Sequence, residues 1–201
     1  MARGSAKNEE MREARLKSIK QAALILFASK GVASTKIQDI AKAVGMSQGL
    51  IYHYYSSKEA IFIEIMVESL NKIIESVMVL KEMPLTAAEK IKFGVKGLIE
   101  IIENKSHFSQ TSHLILQSVF LDTLPEHDKT EINRLREIPY LEIEKIIKEC
   151  QLEGTIHEGD PKELSVLFWV TLNGLSLLKS TSLNYYVSPK PETLYRLFIK
   201  E

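Results

Sequence analysis

Cysteine is almost missing from this sequence: Cys150 stands alone in 201 residues. That excludes a disulfide framework and any thiolate metal cluster. Beside Ile146, Ile147 and Leu152, a single thiol reads as a small residue on a helix face before it reads as a reactive group. Net charge is missing too, with 26 basic side chains against 26 acidic ones. No apolar run is long enough to span a bilayer. The stretch Ala22 to Ala28 resembles the core of a secretion signal, with Val32-Ala33-Ser34 as a cleavage-like site. Glu9, Glu10 and Glu13 precede it, however, and Ile19, Ala22, Ala23, Leu26 and Phe27 fall on one helical stripe, so it reads as a helix and the protein as cytoplasmic. There is no phosphate-cradling glycine loop and no nucleophile–base–orienter set, so an enzyme is not expected. His107 and His113 lack the i, i+4 spacing of a metal pair, and no carboxylate stands at ligand spacing. Neither a metal nor a cofactor is expected.

The charge that cancels overall is unevenly spread. Residues 1–58 hold 10 Lys and Arg against 4 Asp and Glu, and residues 59–201 hold 16 against 22. A basic head on an acidic body is what a phosphate-binding head requires.

Within that head, residues 35–58 read TKIQDIAKAVGMSQGLIYHYYSSK. Thr35 and Gln38 have capping-box spacing. Ile37, Ile40, Ala41 and Val44 then follow i, i+3, i+4, i+7, one face of an amphipathic helix. Gly45 sits where a left-handed residue ends a helix. Ser47 is a good N-cap for a second helix, on which Ile51 and Tyr55 face inward. Ser56 and Glu59 form a second possible capping box ahead of another helix. This is a helix-turn-helix whose second helix can enter the DNA major groove. Gln48 can read adenine with a bidentate amide, or donate to a phosphate. Gly49 lets the backbone come close, and the hydroxyls of Tyr52 and Tyr54 reach phosphate oxygens. Thr35, Lys36 and Lys58 lie at helix starts, where free N–H groups favour an anion. A plain helical hairpin with an aromatic core is the alternative, and His53 alone reads more readily as a packing or surface residue.

The run IAKAVGMSQGLIYHYYSSKEAIF resembles the DNA-binding signature of the TetR-type transcriptional regulators. The resemblance is strongest over about the first 66 residues and includes a first helix from Leu16 to Ser29. It implies an all-α protein of about nine helices. Residues 1–57 would be a three-helix DNA-binding domain and residues 58–201 a ligand-binding and dimerisation domain. By position, it implies that Thr35 and Lys36 meet phosphate, that Gln48, Gly49, Tyr52 and His53 lie at or near the bases, and that Tyr54 and Lys58 clamp the backbone. Two departures stand out. Tyr55 replaces the usual phenylalanine and its hydroxyl needs a partner. Leu50 replaces a residue that is often small.

The remainder reads as helices without strand signals. They run over about 58–80, over 86–104 with Thr86 and Glu89 as a capping box, and from Ser106 or Ser109 to Pro125. A long segment from Asp128 to Leu152 follows, with Pro139 implying a kink or break near Ile138. Asp160-Pro161-Lys162-Glu163 is a strong start for a helix to about Ser182. Ser188-Pro189 or Lys190-Pro191 opens a final helix reaching the C-terminus.

The helix ELSVLFWVTLNGLSLLKS is apolar nearly all round, so it must be buried on more than one side. The final helix adds Leu194, Leu197 and Phe198. The resemblance implies a homodimer through these last two helices. Between them and the head, Phe93, His113, Leu116, Gln117, Phe120, Trp169 and Asn173 are candidate contacts for a small hydrophobic or amphipathic ligand. The expected function is that of a repressor released from a palindromic operator in double-stranded DNA when that ligand binds. The alternative is a DNA-associated protein-interaction module without a small-molecule inducer.

Overall fold

A computed structural model describes residues 2–104, 106–118, 123–181 and 184–200, with side chains for all of these except 2–6, 106–108, 116 and 117. Among the described residues there are nine helices: α1 (Ala2–Lys30), α2 (Ile37–Ala43), α3 (Gln48–Tyr54), α4 (Lys58–Glu82), α5 (Ala87–Asn104), α6 (Ser106–Gln117), α7 (Glu126–Leu152), α8 (Pro161–Ser180) and α9 (Pro191–Tyr195). None of them is long and apolar enough to cross a membrane.

Local chemistry sets most of the boundaries. Gly45, at φ +66°, closes α2 in a Schellman turn. Met46 N–H donates to the Ala41 carbonyl at 2.9 Å and Gly45 N–H to that of Lys42 at 3.3 Å. The Ser47 hydroxyl accepts from Leu50 N–H at 3.2 Å and so opens α3. Thr86 and Glu89 form the expected capping box, with Thr86 N–H donating to Glu89 Oε2 at 2.9 Å. Asp160 caps α8 by accepting from Lys162 N–H at 2.8 Å.

Two caps differ from expectation by one residue. The N-cap of α2 is Lys36, whose N–H donates to Asp39 Oδ2 at 3.1 Å, not Thr35 paired with Gln38. Thr35 is pulled inward instead, as described below. The N-cap of α4 is Ser57, whose hydroxyl accepts from Ala60 N–H at 3.1 Å, not Ser56. Helix α1 starts 14 residues before Leu16, because the polar stretch ahead of the apolar stripe also continues as helix. Helix α7 runs through Pro139 unbroken. Its neighbour α8 supplies donors there: Trp169 Nε1–H to the Pro139 carbonyl at 3.2 Å and the Ser165 hydroxyl to that of Tyr140 at 2.7 Å.

The core falls into two clusters that meet along α4. Ile61, Phe62, Ile65, Met66 and Leu70 join Ile19, Phe27, Ile40, Ile51 and Tyr55 around the head. Val77 and Leu80 join Ile91, Val95, Ile146, Phe168 and Trp169 in the body. One helix therefore lies in both cores, and cannot shift at one end without disturbing packing at the other.

The expected long final helix does not form. Helix α9 is five residues, and the chain then pairs with the loop after α7. His157 N–H donates to the Phe198 carbonyl at 2.8 Å and Lys200 N–H to that of Thr155 at 2.8 Å. Leu194, Phe198 and Ile199 pack into the body's own core. Burying those side chains within the chain leaves only Leu197 of this segment as an exposed large apolar residue.

Cys150 is fully buried, and burial pushes its thiol up to about 11 despite a hydrogen bond with Thr155, so it stays protonated and inert at neutral pH. Glu142, on α7, is buried and accepts from Lys145 Nζ at 2.5 Å and from Lys81 Nζ at 3.0 Å. Those bonds hold its carboxyl below the usual range against the opposing effect of burial. A depressed folded-state value contributes stability above the unfolded carboxyl range and loses it as pH falls through the folded value. Glu142→Gln should therefore cost about 1–2 kcal/mol at pH 7. Urea titrations of both proteins should converge below about pH 4, near and under the ordinary glutamate value. A difference that persists unchanged at acid pH would remove the charge from the explanation.

Candidate nucleic-acid interface and ligand cavity

The head presents an outward face built on α3. Ile51 and Tyr55 are buried, and the period of the helix then leaves Gln48, Gly49, Tyr52 and His53 exposed together. Tyr52 is half exposed, an unusual position for a large ring with nothing to cover it. Space beside Gly49 is open, so a nucleic-acid backbone or base edge can come close there. Gln48 and Tyr52, with Lys36 and Gln38 of α2 and Ser56, Ser57 and Lys58 at the start of α4, line a surface cleft of about 350 Å³. Its occupant would meet two amides, a phenol, hydroxyls and the Lys36 ammonium.

The other predicted residues of the head divide differently. Tyr54 is half-buried, stacks edge-on with His53 at 5.5 Å between ring centroids, and accepts a hydrogen bond from Arg15 of α1 at 3.2 Å. Arg15 thereby joins the edge of the face, which nothing in the sequence spacing indicated. Thr35 is fully buried, and its hydroxyl donates to the Gly31 carbonyl at 2.8 Å. Its hydroxyl is thereby spent on locking the loop, while the residue itself still borders the cleft. Lys58 is likewise committed. Its Nζ donates to the carbonyls of Val32 at 2.7 Å, Ala33 at 2.9 Å and Thr35 at 3.0 Å. All three ammonium protons are used, so Lys58 ties the α1–α2 loop to α4 and cannot at once clamp a phosphate.

The body contains a cavity of about 810 Å³, in the size range of small-molecule sites. Ile65, Ile73, Val77 and Leu80 of α4 form one wall, Phe93, Leu98 and Ile101 of α5 another, and Phe168 and Trp169 of α8 an end. Gly94 brings α5 against Leu80, with 3.1 Å left for a Cβ, whereas nothing lies within 4 Å of a Cβ at Gly97. Of the predicted contacts, Phe93 and Trp169 line the cavity, and Phe93 is also half exposed. His113 and Asn173 do not line it: residues that share a helix with lining residues can still face a different neighbour. The side chains of Leu116 and Gln117, and the whole of Phe120, lie outside the described residues.

Sequence reasoning missed the α1 contribution of Lys17, Lys20, Gln21 and Leu24. One signal was present: Lys20 interrupts the apolar line of Leu16 and Leu24 at i±4. Lys20 Nζ donates to Glu64 Oε1 at 2.9 Å and also to Glu68, which joins α1 to α4 at the cavity's edge. Burial lowers the Lys20 ammonium and the bonds to Glu68 and Glu64 raise it, with a net rise. Among the described residues, no group of His, Cys, Asp and Glu is arranged to hold a metal ion.

Residues 19–65 match the family model of the bacterial regulatory proteins, tetR family. The chain is similar to the HTH-type transcriptional regulator YuxN of Bacillus subtilis (strain 168), at 46% identity over 50 residues, which is 25% of this chain and 17% of that protein. The match to this relative therefore spans about a sixth of its length. Solved structures extend the likeness of fold to nearly the whole chain. AibR, in complex with isovaleryl coenzyme A and operator DNA, has a TM-score of 0.72 at 20% identity, covering 89% of this chain and 92% of its own. The TetR family transcriptional regulator PfmR from Thermus thermophilus has a TM-score of 0.69 at 23% identity, covering 90% of each chain. Residues 19–65 thus carry the sequence of a tetR-family DNA-binding head, and the chain as a whole shares the fold of these solved structures.

Proposed function

We propose that the protein is a ligand-responsive repressor, with residues 1–57 as the DNA-binding head and residues 58–201 as the body. It acts as a homodimer on a palindromic operator, and releases it when a small apolar or amphipathic molecule fills the cavity. The observation that carries this reading is the course of α4. One helix begins at Lys58, under the α1–α2 loop, and goes on to wall the cavity from Ile65 to Leu80. A molecule that displaces this wall also displaces the head. The AibR complex, with isovaleryl coenzyme A and operator DNA together, supports both partner classes on this fold.

Dimerisation is supported by α8. Leu167, Val170, Leu177 and Leu178 are exposed along one side with Gly174 among them, and Leu141 of α7 is half exposed. An exposed apolar stripe of this length marks an interface. We place it on α7 and α8 and not on α9. Two heads then meet two half-sites about 34–36 Å apart, or a multiple of that.

The test is selection of bound fragments from a genomic DNA pool by the purified protein at moderate salt. A short shared palindrome is expected. Gln48→Ala and Tyr52→Ala should each weaken binding to it by roughly 5- to 150-fold, the range for one good base contact. Fragments without a shared site, or recovery unaffected by both substitutions, would sink the operator reading.

A further inference from the structure

The cavity has two unlike ends. Toward α7 and α8 it is walled by Ile143, Phe168 and Trp169. Toward α1 it is edged by Lys17, Lys20 and Lys72 against a single lining carboxylate, Glu68. Lys17 and Lys72 are exposed and have no ion-pair partner among the described residues. Lys20 spends two ammonium protons on Glu64 and Glu68, which leaves one donor. A mainly apolar cavity edged by cations is complementary to an apolar chain that ends in an anion.

A second observation lies just behind that rim. Tyr55 caps the C-terminus of α3, with its N–H donating to the Ile51 carbonyl. Its side chain is 95% buried, as 5% relative exposure shows, yet its hydroxyl makes no hydrogen bond of proper geometry. Burial pushes the phenol well up, and the carboxylates of Glu64 and then Glu68 push it further. The hydroxyl therefore lies close to Glu64 without being aligned to it. A buried donor left unmade is costly and is satisfied by a small movement of its neighbour. Glu64 and Glu68 are the two groups that Lys20 holds.

Resting on the ligand-responsive reading above, we infer that the cavity takes an amphiphilic anion, a carboxylate or phosphate on an apolar chain, and that its head competes with Glu64 and Glu68 for Lys20, releasing Glu64 to accept from Tyr55. Three anions around one ammonium repel each other, and the freed carboxylate has the Tyr55 hydroxyl waiting for it. The change at the rim thereby reaches the residue that caps the DNA-facing helix. A cationic head is disfavoured, because Glu64 and Glu68 already share Lys20 and the remaining lining charges, Lys17 and Lys72, are cationic.

The experiment titrates the full chain with dodecanoate, dodecyl phosphate, dodecanol and dodecyltrimethylammonium, each below its micellar concentration. Trp169, the sequence's one tryptophan, lies in the cavity wall and reports occupancy by its fluorescence. At least one of the two anions should bind tenfold or more tightly than dodecanol and dodecyltrimethylammonium, and the tighter anion names the head. Lys20→Met should reduce its affinity to that of dodecanol. The double variant Lys17→Gln/Lys72→Gln, which leaves the Lys20 pairs intact, should weaken it severalfold and covers the case in which Lys20→Met misfolds. Tyr55→Phe should bind the anion as the parent does, while the anion's effect on operator affinity shrinks to within twofold. Equal or tighter binding of dodecanol or the ammonium compound, parental affinity in Lys20→Met and the double variant, or undiminished coupling in Tyr55→Phe overturns the inference. Gly97→Leu, which fills open cavity space, separates this from the broader reading. If dodecanol or the ammonium compound shifts operator affinity in the parent and not in Gly97→Leu, only the head-group assignment fails. If no probe shifts it in either, both fail.

Discussion

Val170→Glu is expected to yield a folded monomer whose operator affinity has fallen by at least a hundredfold. Val170 is 56% exposed on α8, in the middle of the Leu167–Leu178 stripe, so the substitution removes nothing from the chain's own core. In a two-fold interface the same patch serves both subunits, and each substitution is felt twice. Two unpaired carboxylates would then be desolvated at the centre of an apolar contact, at a cost of several kcal/mol each. A monomer engages one half-site and loses the gain that comes from tethering the second head. Sedimentation should give half the parental mass, with thermal unfolding measured at matched concentration to show that the monomer is folded. Leu197→Glu is the control. Leu197 is 58% exposed on the C-terminal segment beyond α9, and this variant should remain a dimer. If Val170→Glu stays dimeric and Leu197→Glu does not, the interface lies on the final segment after all.

The second large effect belongs to Lys58. Lys58→Met should lower stability by roughly 2–4 kcal/mol, because three carbonyls lose charge-assisted donors worth about 1.5–3 kcal/mol each and only partly recover them from water. For a chain of 201 residues this corresponds to a drop of roughly 5–15 °C in melting temperature. The same variant separates scaffold from phosphate contact. A lysine that neutralises a phosphate contributes about one unit to the slope of log affinity against log salt. Lys58→Met should lose affinity without changing that slope. Lys36→Met, altering an exposed side chain in the cleft, should reduce the slope by about one with little change in melting temperature. An unchanged melting temperature in Lys58→Met together with a reduced slope would restore it to the DNA backbone.

These two lysines illustrate what a linear pattern carries. Lys36 and Lys58 both stand at the start of a helix in a basic head, and from sequence they read alike. Folding separates them by the position of the 31–35 loop, whose carbonyls converge on one ammonium and not the other. Thr35 behaves similarly. A threonine ahead of an apolar helical run has the right chemistry for a cap, but burial beneath the loop turns its hydroxyl back to Gly31 and hands the cap to Lys36.

In the body, Phe93 and Trp169 were among the residues the sequence put forward for a cavity, and both line it, whereas His113 and Asn173, put forward with them, do not. The cavity's cationic rim was not legible there. Lys17 and Lys20 belong to a helix that reads as part of the head, and their place beside α4 depends on a crossing that no local pattern records. The final segment was misread for a related reason. Proline at a helix start and an apolar spacing describe a helix that could continue. The competing pairing of residues 198–200 with the loop after α7 involves partners some forty residues away.

The sequence by itself determined the all-α class, the turn between α2 and α3, and an outward face with Gln48, Gly49, Tyr52 and His53, although it also counted the half-buried Tyr54 there. These follow from helical period, caps and a left-handed glycine, all of which act over a few residues. Tertiary structure alone decided which lysine is scaffold, where the cavity lies, which end of it is charged and which helix stays apolar and uncovered. Each of those depends on which distant groups arrive beside one another, and hydrogen-bond satisfaction and desolvation act only once they have arrived.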